Sequence, residues 1–559
     1  MMRGNGRWLR RQLWFAAALM LSTAAAADPI YRSIDGYGTN PAHPEWGSAG
    51  SQLLRNGVPA VYPDGWSMPS GLPSTRAVSN AVAAQPGPIF NTSGATDFIW
   101  QWGQFLDHDM DLTRTNGIEF NSIPIPPGDP HFTSPIPFTR SAFDPTTGTA
   151  SGNPRQQVNV LTAFIDASQV YGSDAATATA LRSFSGGAMK VTSTAVGDLL
   201  PTVSTPMGDM FVAGDERVNE QIALTAMHTL FVREHNRLAA EFAASSPQTA
   251  GETDAEFDER IYQTARKVVG AEMQAITYNE FLPMLLGKGA LPDYAGYDQT
   301  VNPGIANIFS AAAFRLGHTL LSPSLMRLDE NGNVIPAGNL PLRDAFFKPA
   351  EIVDNGGIEP ILRGLSTQIA QEIDPFIVDD VRNFLFGPPG AGGFDLAALN
   401  MQRGRDHGIP GYNAVRGLVL GVDEMFTGWD DPDLNFLPGV KEAMMSVYAS
   451  IDDIDLWIGG LSEVHVNGGM LGELFSAILI DQFERLRSGD RFFYLSDGMF
   501  EDFWLDMIQN STLSAIVMRN TTIGSMRYNA FSSIPEPSTL MALLAGLAVL
   551  RGMRRMRAM

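Results

Sequence analysis

Apolar side chains recur at the spacing of one helical face in several long stretches of the chain. The longest stretch runs from Arg217 to Ala244, and another, rich in aromatic residues, spans about 94–112. A third, near 307–321, ends before Pro323, and further amphipathic stretches follow between about 412 and 527. Recurrence of apolar residues every three to four positions predicts α-helices. The predicted fold class is therefore mainly α, with few short strands.

Between these stretches the chain is irregular. Residues 28–90 are rich in Gly, Pro, Ser and Asn, so we expect an irregular N-terminal segment that wraps around the helices. Residues 122–156 contain a density of proline that excludes regular helix and central strand. Because no internal repeat or charged linker divides the chain, the sequence predicts one large helical domain over residues 28–533.

The composition narrows the possible functions. The 559 residues are 44% hydrophobic and 18% charged, which is typical of a globular protein with a sizeable core. Acidic residues outnumber basic ones by 60 to 38, a net charge of −22, which argues against nucleic acid as a partner. The chain has no cysteine, which excludes disulfides, thiolate metal ligands and a cysteine nucleophile.

Both ends of the chain have the composition of targeting segments. Residues 1–27 combine arginines, an apolar run and a series of small residues, the pattern of a secretory signal peptide. Residues 534–559 contain Pro-Glu-Pro, an apolar run too short for a stable spanning helix, and a final arginine cluster. This tail resembles the PEP-CTERM sorting signal of Gram-negative bacteria, which a membrane protease removes. A short membrane anchor is the alternative. We expect export through the Sec pathway to the cell surface or exterior.

The aromatic-rich helix carries polar groups on one face. Gln104, Asp107 and His108 stand at positions i, i+3 and i+4, and apolar side chains surround them. Buried polar groups need partners, so such a cluster is costly unless it has a task. By itself, the pattern fits a structural histidine beside an acidic surface equally well. A structural role is favoured for His228 and His235, whose spacing matches no metal motif.

Two other predicted helices carry pairs of polar residues. Arg217 and Glu220 share a face in the first turn of the longest helix. Arg315 and His318 are three residues apart in the third helix, next to a run of alanines that allows the close approach of a flat group.

Oxygen donors alternate along a loop that follows the proline-rich segment. Thr162, Asp166 and Ser168 carry side-chain oxygens, and the carbonyl group of Phe164 lies between them. Alternate residues of an extended loop face the same way, so this loop could wrap a hard cation such as calcium, with Asp109 completing the shell. Alternation of this kind is also common in turns, so by itself it is weak evidence.

These polar groups together are what a haem peroxidase requires. The iron needs an imidazole ligand whose second ring nitrogen is held by a polar partner. The opposite side needs a base that moves the proton of hydrogen peroxide and a cation that stabilises the charge developing as the O–O bond breaks.

Five motifs resemble those of the animal-type haem peroxidase superfamily, in that family's order and over most of residues 30–530. They are Trp102–Asp109, Leu161–Ser173, Met227–Leu238, Arg315–Thr319 and Leu399–Gly408. The resemblance implies a single helical peroxidase domain that binds haem and calcium.

The resemblance implies a role for each polar group. His108 would be the distal acid and base, Gln104 would hold a water or a small anion, and Arg217 would polarise the peroxide. His318 would ligate the haem iron, and Asn400 would fix its tautomer.

The resemblance also implies how the cofactors are held. Asp107 and Glu220 occupy positions that can form ester links to the methyl groups of haem, and Arg315 belongs with the cofactor-binding residues. The calcium ligands would be Asp109, Thr162, Phe164, Asp166 and Ser168.

The chain also departs from the family. Gln221 stands where some members have the methionine of a sulfonium link to haem, so we expect that link to be absent. The disulfides of animal members cannot form. The acidic surface disfavours efficient recruitment of anions. No Tyr-x-Trp-His stretch lies near His318, which counts against a fatty-acid dioxygenase.

We therefore expect a secreted haem peroxidase that uses hydrogen peroxide to oxidise a halide or a small organic donor through a ferryl intermediate. One alternative is a catalytically degenerate surface or matrix protein of the same fold. Another is a metal-dependent hydrolase that uses His108 with Asp109 and Asp406 with His407.

Overall fold

Helices of very different lengths are the main regular structure of residues 30–206 and 208–534, the part of the chain that this computed structural model describes. The α-helices are α1 Thr75–Val82, α2 Phe98–Met110, α3 Ser168–Tyr171, α4 Ala175–Leu181, α5 Ile222–Ser245, α6 Asp254–Ile276, α7 Leu282–Leu286, α8 Asn307–Ala311, α9 Ala350–Val353, α10 Glu359–Thr367, α11 Asp379–Arg382, α12 Leu396–Asp406, α13 Tyr412–Val419, α14 Val440–Met445, α15 Leu456–Leu461, α16 Glu473–Ser488, α17 Asp502–Gln509 and α18 Leu513–Asn520. A π-helical turn, Thr277–Phe281, joins α6 to α7, and 3₁₀ turns form at Ala313–His318, Leu342–Asp344, Val422–Glu424 and Ile451–Asp453.

The strands are short and lie in two-stranded antiparallel pairs. They are β1 Thr115–Phe120 with β2 Thr139–Ser141, β3 Thr192–Thr194 with β4 Gly197–Leu199, β5 Thr202–Thr205 with β6 Gly208–Phe211, and β7 Ser324–Leu325 with β8 Leu340–Pro341. In the second pair, for example, Thr192 faces Leu199 and Thr194 faces Gly197. The predicted mainly α fold with few short strands is confirmed.

The core forms where α2 and α6 pack against α5. Trp102 and Phe105 of α2 lie against Phe231 of α5, with ring centroids 5.8 and 5.1 Å apart. All three rings are fully buried, and burial of aromatic rings is a large apolar contribution to stability. This packing fixes the rotation of α2 about its axis, and with it the direction of the polar face.

The longest helix begins later than the sequence predicted. Residues 214–220 form turns, and α5 starts at Ile222 because the side chain of Gln221 accepts a hydrogen bond from the backbone N–H of Ala223, as an N-cap does. The prediction that Arg217 and Glu220 lie in the first helical turn is therefore wrong, since both precede the helix.

The third predicted helix is broken in the middle. At Ala312 the backbone leaves the helical region, with φ −140° and ψ −74°, and the chain continues as the 3₁₀ turn Ala313–His318. In a 3₁₀ turn residues i and i+3 are aligned, so Arg315 and His318 project on the same side. This turn packs on both α2 and α15.

The N-terminal segment is irregular before Ser74, but the prediction that all of residues 28–90 are irregular is wrong, because α1 forms at Thr75–Val82, where Ser74 accepts from the backbone N–H of Arg76 as an N-cap. Ion pairs tie the start of the segment to two loops. Nη2 of Arg32 donates to both carboxylate oxygens of Asp490, each at 2.7 Å, and Nε of Arg32 lies 3.3 Å from Asp166. Within residues 30–206 and 208–534, no helix combines the length and the hydrophobicity needed to cross a bilayer. The expected signal peptide, and residues 535–559 of the expected sorting tail, lie outside the described residues.

Candidate active site

A cavity of about 340 Å³ lies between α2, the turn before α5, the 3₁₀ turn Ala313–His318 and α12. It brings together every residue for which the sequence predicted a role toward peroxide or haem: Gln104, Asp107, His108, Arg217, Glu220, Arg315, His318 and Asn400. Apolar side chains such as Ile99, Phe314 and Leu399 line the rest of its wall. Such a mixture of apolar surface and a few convergent polar groups is typical of a cofactor site.

His108 presents one ring nitrogen to the cavity and the other to a buried carboxylate. Its Nδ1 lies 3.4 Å from Oδ1 of Asp215, and its Nε2 lies 3.9 Å from Oε2 of Glu220, a cavity residue. Burial, together with the charge of Arg217, holds the pKa of His108 well below its ordinary value, while Asp215 acts in the opposite direction. The imidazole is therefore neutral at pH 7 and able to accept a proton.

Asp215 also holds Arg217. Its carboxylate accepts hydrogen bonds from the backbone N–H, Nε and Nη2 of Arg217, at 2.9, 2.9 and 3.0 Å. Although burial acts to raise it, the pKa of Asp215 is held well below its usual range by Arg217 and His108. The guanidinium is thus fixed beside His108, and its Nη1 lies 3.4 Å from Asp107.

A chain of three amides lies beside His108. Nε2 of Gln221 is 2.6 Å from Oε1 of Gln101 and 3.0 Å from Oε1 of Gln104. Gln104 lines the cavity, as predicted, and α2 and the N-cap of α5 together fix its position.

His318 also lines the cavity and is held by Asn400 of α12. Nδ2 of Asn400 lies 2.8 Å from Nδ1 of His318, and its Oδ1 lies 3.4 Å from Nη1 of Arg315. If Oδ1 of Asn400 turns to accept from Nδ1–H, it gives up the long contact with Arg315, and Nε2 of His318 is then free to bind a metal. Burial, together with Arg315, lowers the pKa of His318 to about 3, so the imidazole is neutral.

Two guanidinium groups line the cavity near His318. Nε of Arg315 donates to the carbonyl of Ser310 at 2.9 Å, and burial lowers the pKa of Arg315. Arg403 bonds Asp406 and Ser141, at 2.9 and 2.8 Å, and burial lowers its pKa to about 10. Cations in such surroundings fit the carboxylate groups of a haem, and the neutral His318 fits its iron.

Asp107 and Glu220 line the cavity, and burial favours the protonated form of each carboxyl group more than it does in water. Burial, and secondarily the charge of Asp111, raises the pKa of Asp107 to about 7. Burial raises the pKa of Glu220 to about 7. Their side chains retain exposed fractions of 31% and 29%, so both can reach a molecule that fills the cavity.

Three functional candidates escaped the sequence reasoning. Asp215 stands two residues before Arg217, and this i, i+2 acid–base pair was the available signal. Arg403 lies within a motif that was recognised, three residues after Asn400. Phe386 lines the cavity in a left-handed conformation, with φ +63°, which nothing in the sequence announces.

The predicted calcium ligands surround the N-terminus of α3. Asp109 lies off the cavity face of α2, and its carboxylate accepts from the backbone N–H groups of Asp166, Ala167 and Ser168. Thr162 Oγ1 donates to Asp166 at 3.1 Å. Burial, and then the charge of Asp166, raises the pKa of Asp109 well above its ordinary value. A pair of buried carboxylates whose ionisation is disfavoured fits a bound cation.

His235 and His407 are buried and have hydrogen-bond partners on both ring nitrogens. His235 bonds Tyr171 and the carbonyl of Gly187, both at 2.8 Å, consistent with the structural role predicted for it. His407 bonds Ser141 and Asn307. Among residues 30–206 and 208–534, no three His, Asp or Glu side chains come together as metal ligands.

Comparison with known proteins places this geometry in context. A family model described as animal haem peroxidase matches residues 31–531. Peroxinectin A of Dictyostelium discoideum is 37% identical over 90% of this chain and 95% of its own length. Drosophila melanogaster peroxidasin is 36% identical over 87% of this chain, which spans only 35% of the relative. The solved structure of peroxidase A from Dictyostelium discoideum superposes with a TM-score of 0.82 at 34% identity, covering 91% of this chain and all of that one.

Proposed function

The chain belongs to the animal haem peroxidase family, and we propose that it is a haem-dependent peroxidase that reduces hydrogen peroxide and oxidises a small donor. The observation that carries the proposal is the meeting of two sets of residues in one cavity. His108 and Arg217, both held by the buried Asp215, line this cavity together with His318, which is held by Asn400. A degenerate surface protein would have no need to keep these groups together.

The distal residues supply proton transfer and charge stabilisation. The neutral His108, with Nδ1 toward Asp215, offers Nε2 as the base that removes a proton from hydrogen peroxide. The same nitrogen then returns the proton to the departing oxygen as water forms. Arg217, held by Asp215, faces the negative charge that develops on that oxygen.

The proximal residues hold the cofactor. His318 would be the iron ligand, with Asn400 orienting its ring, and Arg315 and Arg403 would bind the propionate groups. When bound, haem supplies the iron centre at which the O–O bond breaks and which stores the two oxidising equivalents.

Asp107 and Glu220 are proposed to form ester links to haem. Burial raises the pKa of both carboxyl groups, because a buried carboxylate is costly. An ester link would remove that cost. Acid–acetone extraction of the haem-loaded protein tests this proposal. Haem should stay with the protein in the wild type and be released from a variant carrying both Asp107→Asn and Glu220→Gln. Free extraction from the wild type would refute the links.

A small aromatic donor is favoured over a halide. Phe386 lines the cavity with an exposed fraction of 42%, and its ring contacts Phe346 and Phe347 at centroid distances of 5.2 and 5.3 Å. Such an apolar rim suits an aromatic molecule, whereas a net charge of −22 repels anions at long range. A neutral phenol should therefore show a higher kcat/KM than bromide, and the reverse order would refute this assignment.

Calcium is proposed to bind through the side chains of Asp109, Thr162, Asp166 and Ser168 and the carbonyl of Phe164. Oδ2 of Asp166 has no hydrogen-bond partner among the described residues, although Arg32 lies 3.3 Å away. Oxygen ligands with two carboxylates suit a hard divalent cation.

The absorption spectrum of the purified protein is the first test of the function. We expect a Soret band that shifts when peroxide is added. His318→Ala should lose the haem, whereas His108→Ala should keep it and lose peroxide turnover. Full turnover by His108→Ala would refute the distal assignment, and a protein that takes up no haem would support the degenerate alternative.

We also propose that the chain is exported and that the C-terminal tail is a sorting signal that a membrane protease removes. The support is the composition of residues 1–27 and 534–559. Intact-mass spectrometry of protein recovered from the native cell should show loss of both segments. A retained tail would favour the membrane-anchor alternative.

A further inference from the structure

We propose that Gln221 is a positioning residue that fixes the direction of the Gln104 amide, so that the distal cavity presents an N–H donor to a small anion. This inference rests on the proposed haem peroxidase function, because the cavity concerned is the distal one. It assigns a task to Gln221 beyond that of capping α5.

The direction of the Gln221 amide follows from the backbone. One end of the amide lies 2.6 Å from the backbone nitrogen of Ala223. A backbone N–H can only donate, so this end must be the oxygen. The other end is therefore the NH₂ group, and its two hydrogens point to Gln101 and Gln104, at 2.6 and 3.0 Å.

The direction of the Gln104 amide follows in turn. The atom facing the NH₂ group of Gln221 must be an acceptor, so this atom is Oε1 of Gln104. Nε2 of Gln104 has no hydrogen-bond partner among the described residues, and Gln104 lines the cavity. Because Oε1 is engaged by Gln221, Nε2 is the end of this cavity-lining amide that is left to donate to a ligand.

Gln101 shows what this arrangement costs. Its side chain is fully buried, and its Nε2 lacks a partner within the described residues. Reversing the Gln101 amide would place two NH₂ groups against each other, so the backbone of Ala223 determines the direction of all three amides. A donor N–H attracts an anion, whereas a carbonyl oxygen at the same place would repel it.

A reversal of the amide tests the proposal. In Gln221→Glu, one carboxylate oxygen can still accept from Ala223, and the other can only accept from Gln104. The Gln104 amide should then rotate and present its oxygen to the cavity. Bromide titration of the ferric haem protein, followed by its absorption spectrum, should show affinity reduced about tenfold or more, and Gln221→Leu should show a smaller loss.

A double-mutant cycle separates the effect of the amide direction from the effect of the negative charge that Gln221→Glu introduces. In a Gln104→Leu background the amide is absent, so Gln221→Glu should change bromide affinity by less than about threefold. An equal loss in both backgrounds would mean that charge alone acts, and would overturn the proposal. Unchanged affinity in Gln221→Glu would overturn it too. If Gln221→Glu does not fold, Gln221→Leu in the two backgrounds provides the same cycle.

A second readout separates this inference from the proposed function. Anomalous diffraction from bromide-soaked crystals should place an ion within hydrogen-bond distance of Gln104 Nε2, with lower occupancy in Gln221→Glu. This readout does not require peroxide turnover. A haem-loaded wild type with no bromide at Gln104 would overturn the inference while leaving the peroxidase intact. Failure to bind haem would overturn the proposed function, and diffraction from the haem-free protein would still report on the amide.

Discussion

Asp215→Asn is the substitution that most directly tests how the distal residues work together. Asp215 is buried, lies 3.4 Å from Nδ1 of His108 and accepts three hydrogen bonds from Arg217. Asparagine keeps the size of the side chain and one acceptor oxygen but removes the negative charge. His108 and Arg217 then lose the charge that stabilises a proton on the imidazole and anchors the guanidinium.

The magnitude follows from the distance. A unit charge 3.4 Å from another, at an effective dielectric constant of about 20, contributes about 5 kcal/mol, which is an upper bound. The asparagine dipole retains part of this stabilisation, and about 1.4 kcal/mol corresponds to a factor of ten in rate. We therefore expect the second-order rate with peroxide to fall by about 100-fold to 1000-fold.

Stopped-flow absorbance of the Soret band measures this rate without a donor. The control is Glu216→Gln, which removes a carboxylate from the neighbouring residue, where the side chain is 55% exposed and pairs with Arg114 at 2.6 Å. This variant should react within about twofold of the wild type, because exposed ion pairs contribute little. If Asp215→Asn keeps its haem spectrum and also reacts at the wild-type rate, the assigned role of Asp215 is wrong.

Three further predictions concern other parts of the molecule. Chelation of calcium should lower the thermal unfolding midpoint of the wild type but not of Asp166→Asn. The reason is that a ligand at about 100 times its Kd stabilises the folded state by about 2.7 kcal/mol. Equal shifts of the midpoint in both proteins, measured by calorimetry, would contradict the calcium site. Burial lowers the pKa of His235 to about 4, so this group stabilises the fold above its unfolded pKa of about 6.5, and the stability is lost as pH falls toward 4. Between pH 7 and pH 5, denaturant unfolding should therefore show the wild type losing about 2 kcal/mol more than His235→Gln, and parallel pH profiles would refute the assignment. Phe386→Ser should raise KM for a phenolic donor several-fold and leave the Soret rate with peroxide unchanged, whereas a slower peroxide reaction would show that Phe386 supports the distal residues instead.

The local features of the site were predictable from the sequence because they depend on residues that are close in the chain. The helical period places Gln104, Asp107 and His108 on one face of α2, and all three line the cavity. The helical period also placed Arg315 and His318 on one side correctly, although the backbone there is a 3₁₀ turn. Residues i and i+3 lie next to each other in both an α-helix and a 3₁₀ turn.

Other features were not predictable, because they depend on where distant segments meet. The sequence extended the longest helix back to Arg217, but the side chain of Gln221 caps it and leaves Arg217 and Glu220 in a turn. That turn brings Asp215 against His108, which lies more than 100 residues earlier in the chain. The spacing of apolar residues within either segment does not predict this contact.

The sequence by itself determined the helical class, the cavity-facing residues of α2 and the residue types needed on each wall. The tertiary structure decided how those residues are oriented. The amide of Gln104 takes its direction from Gln221, 117 residues away, and the ring of His318 is held by Asn400, 82 residues away. The physical reason is that periodicity fixes the face on which a side chain lies, whereas the direction of each donor and acceptor depends on the partners that packing brings to it.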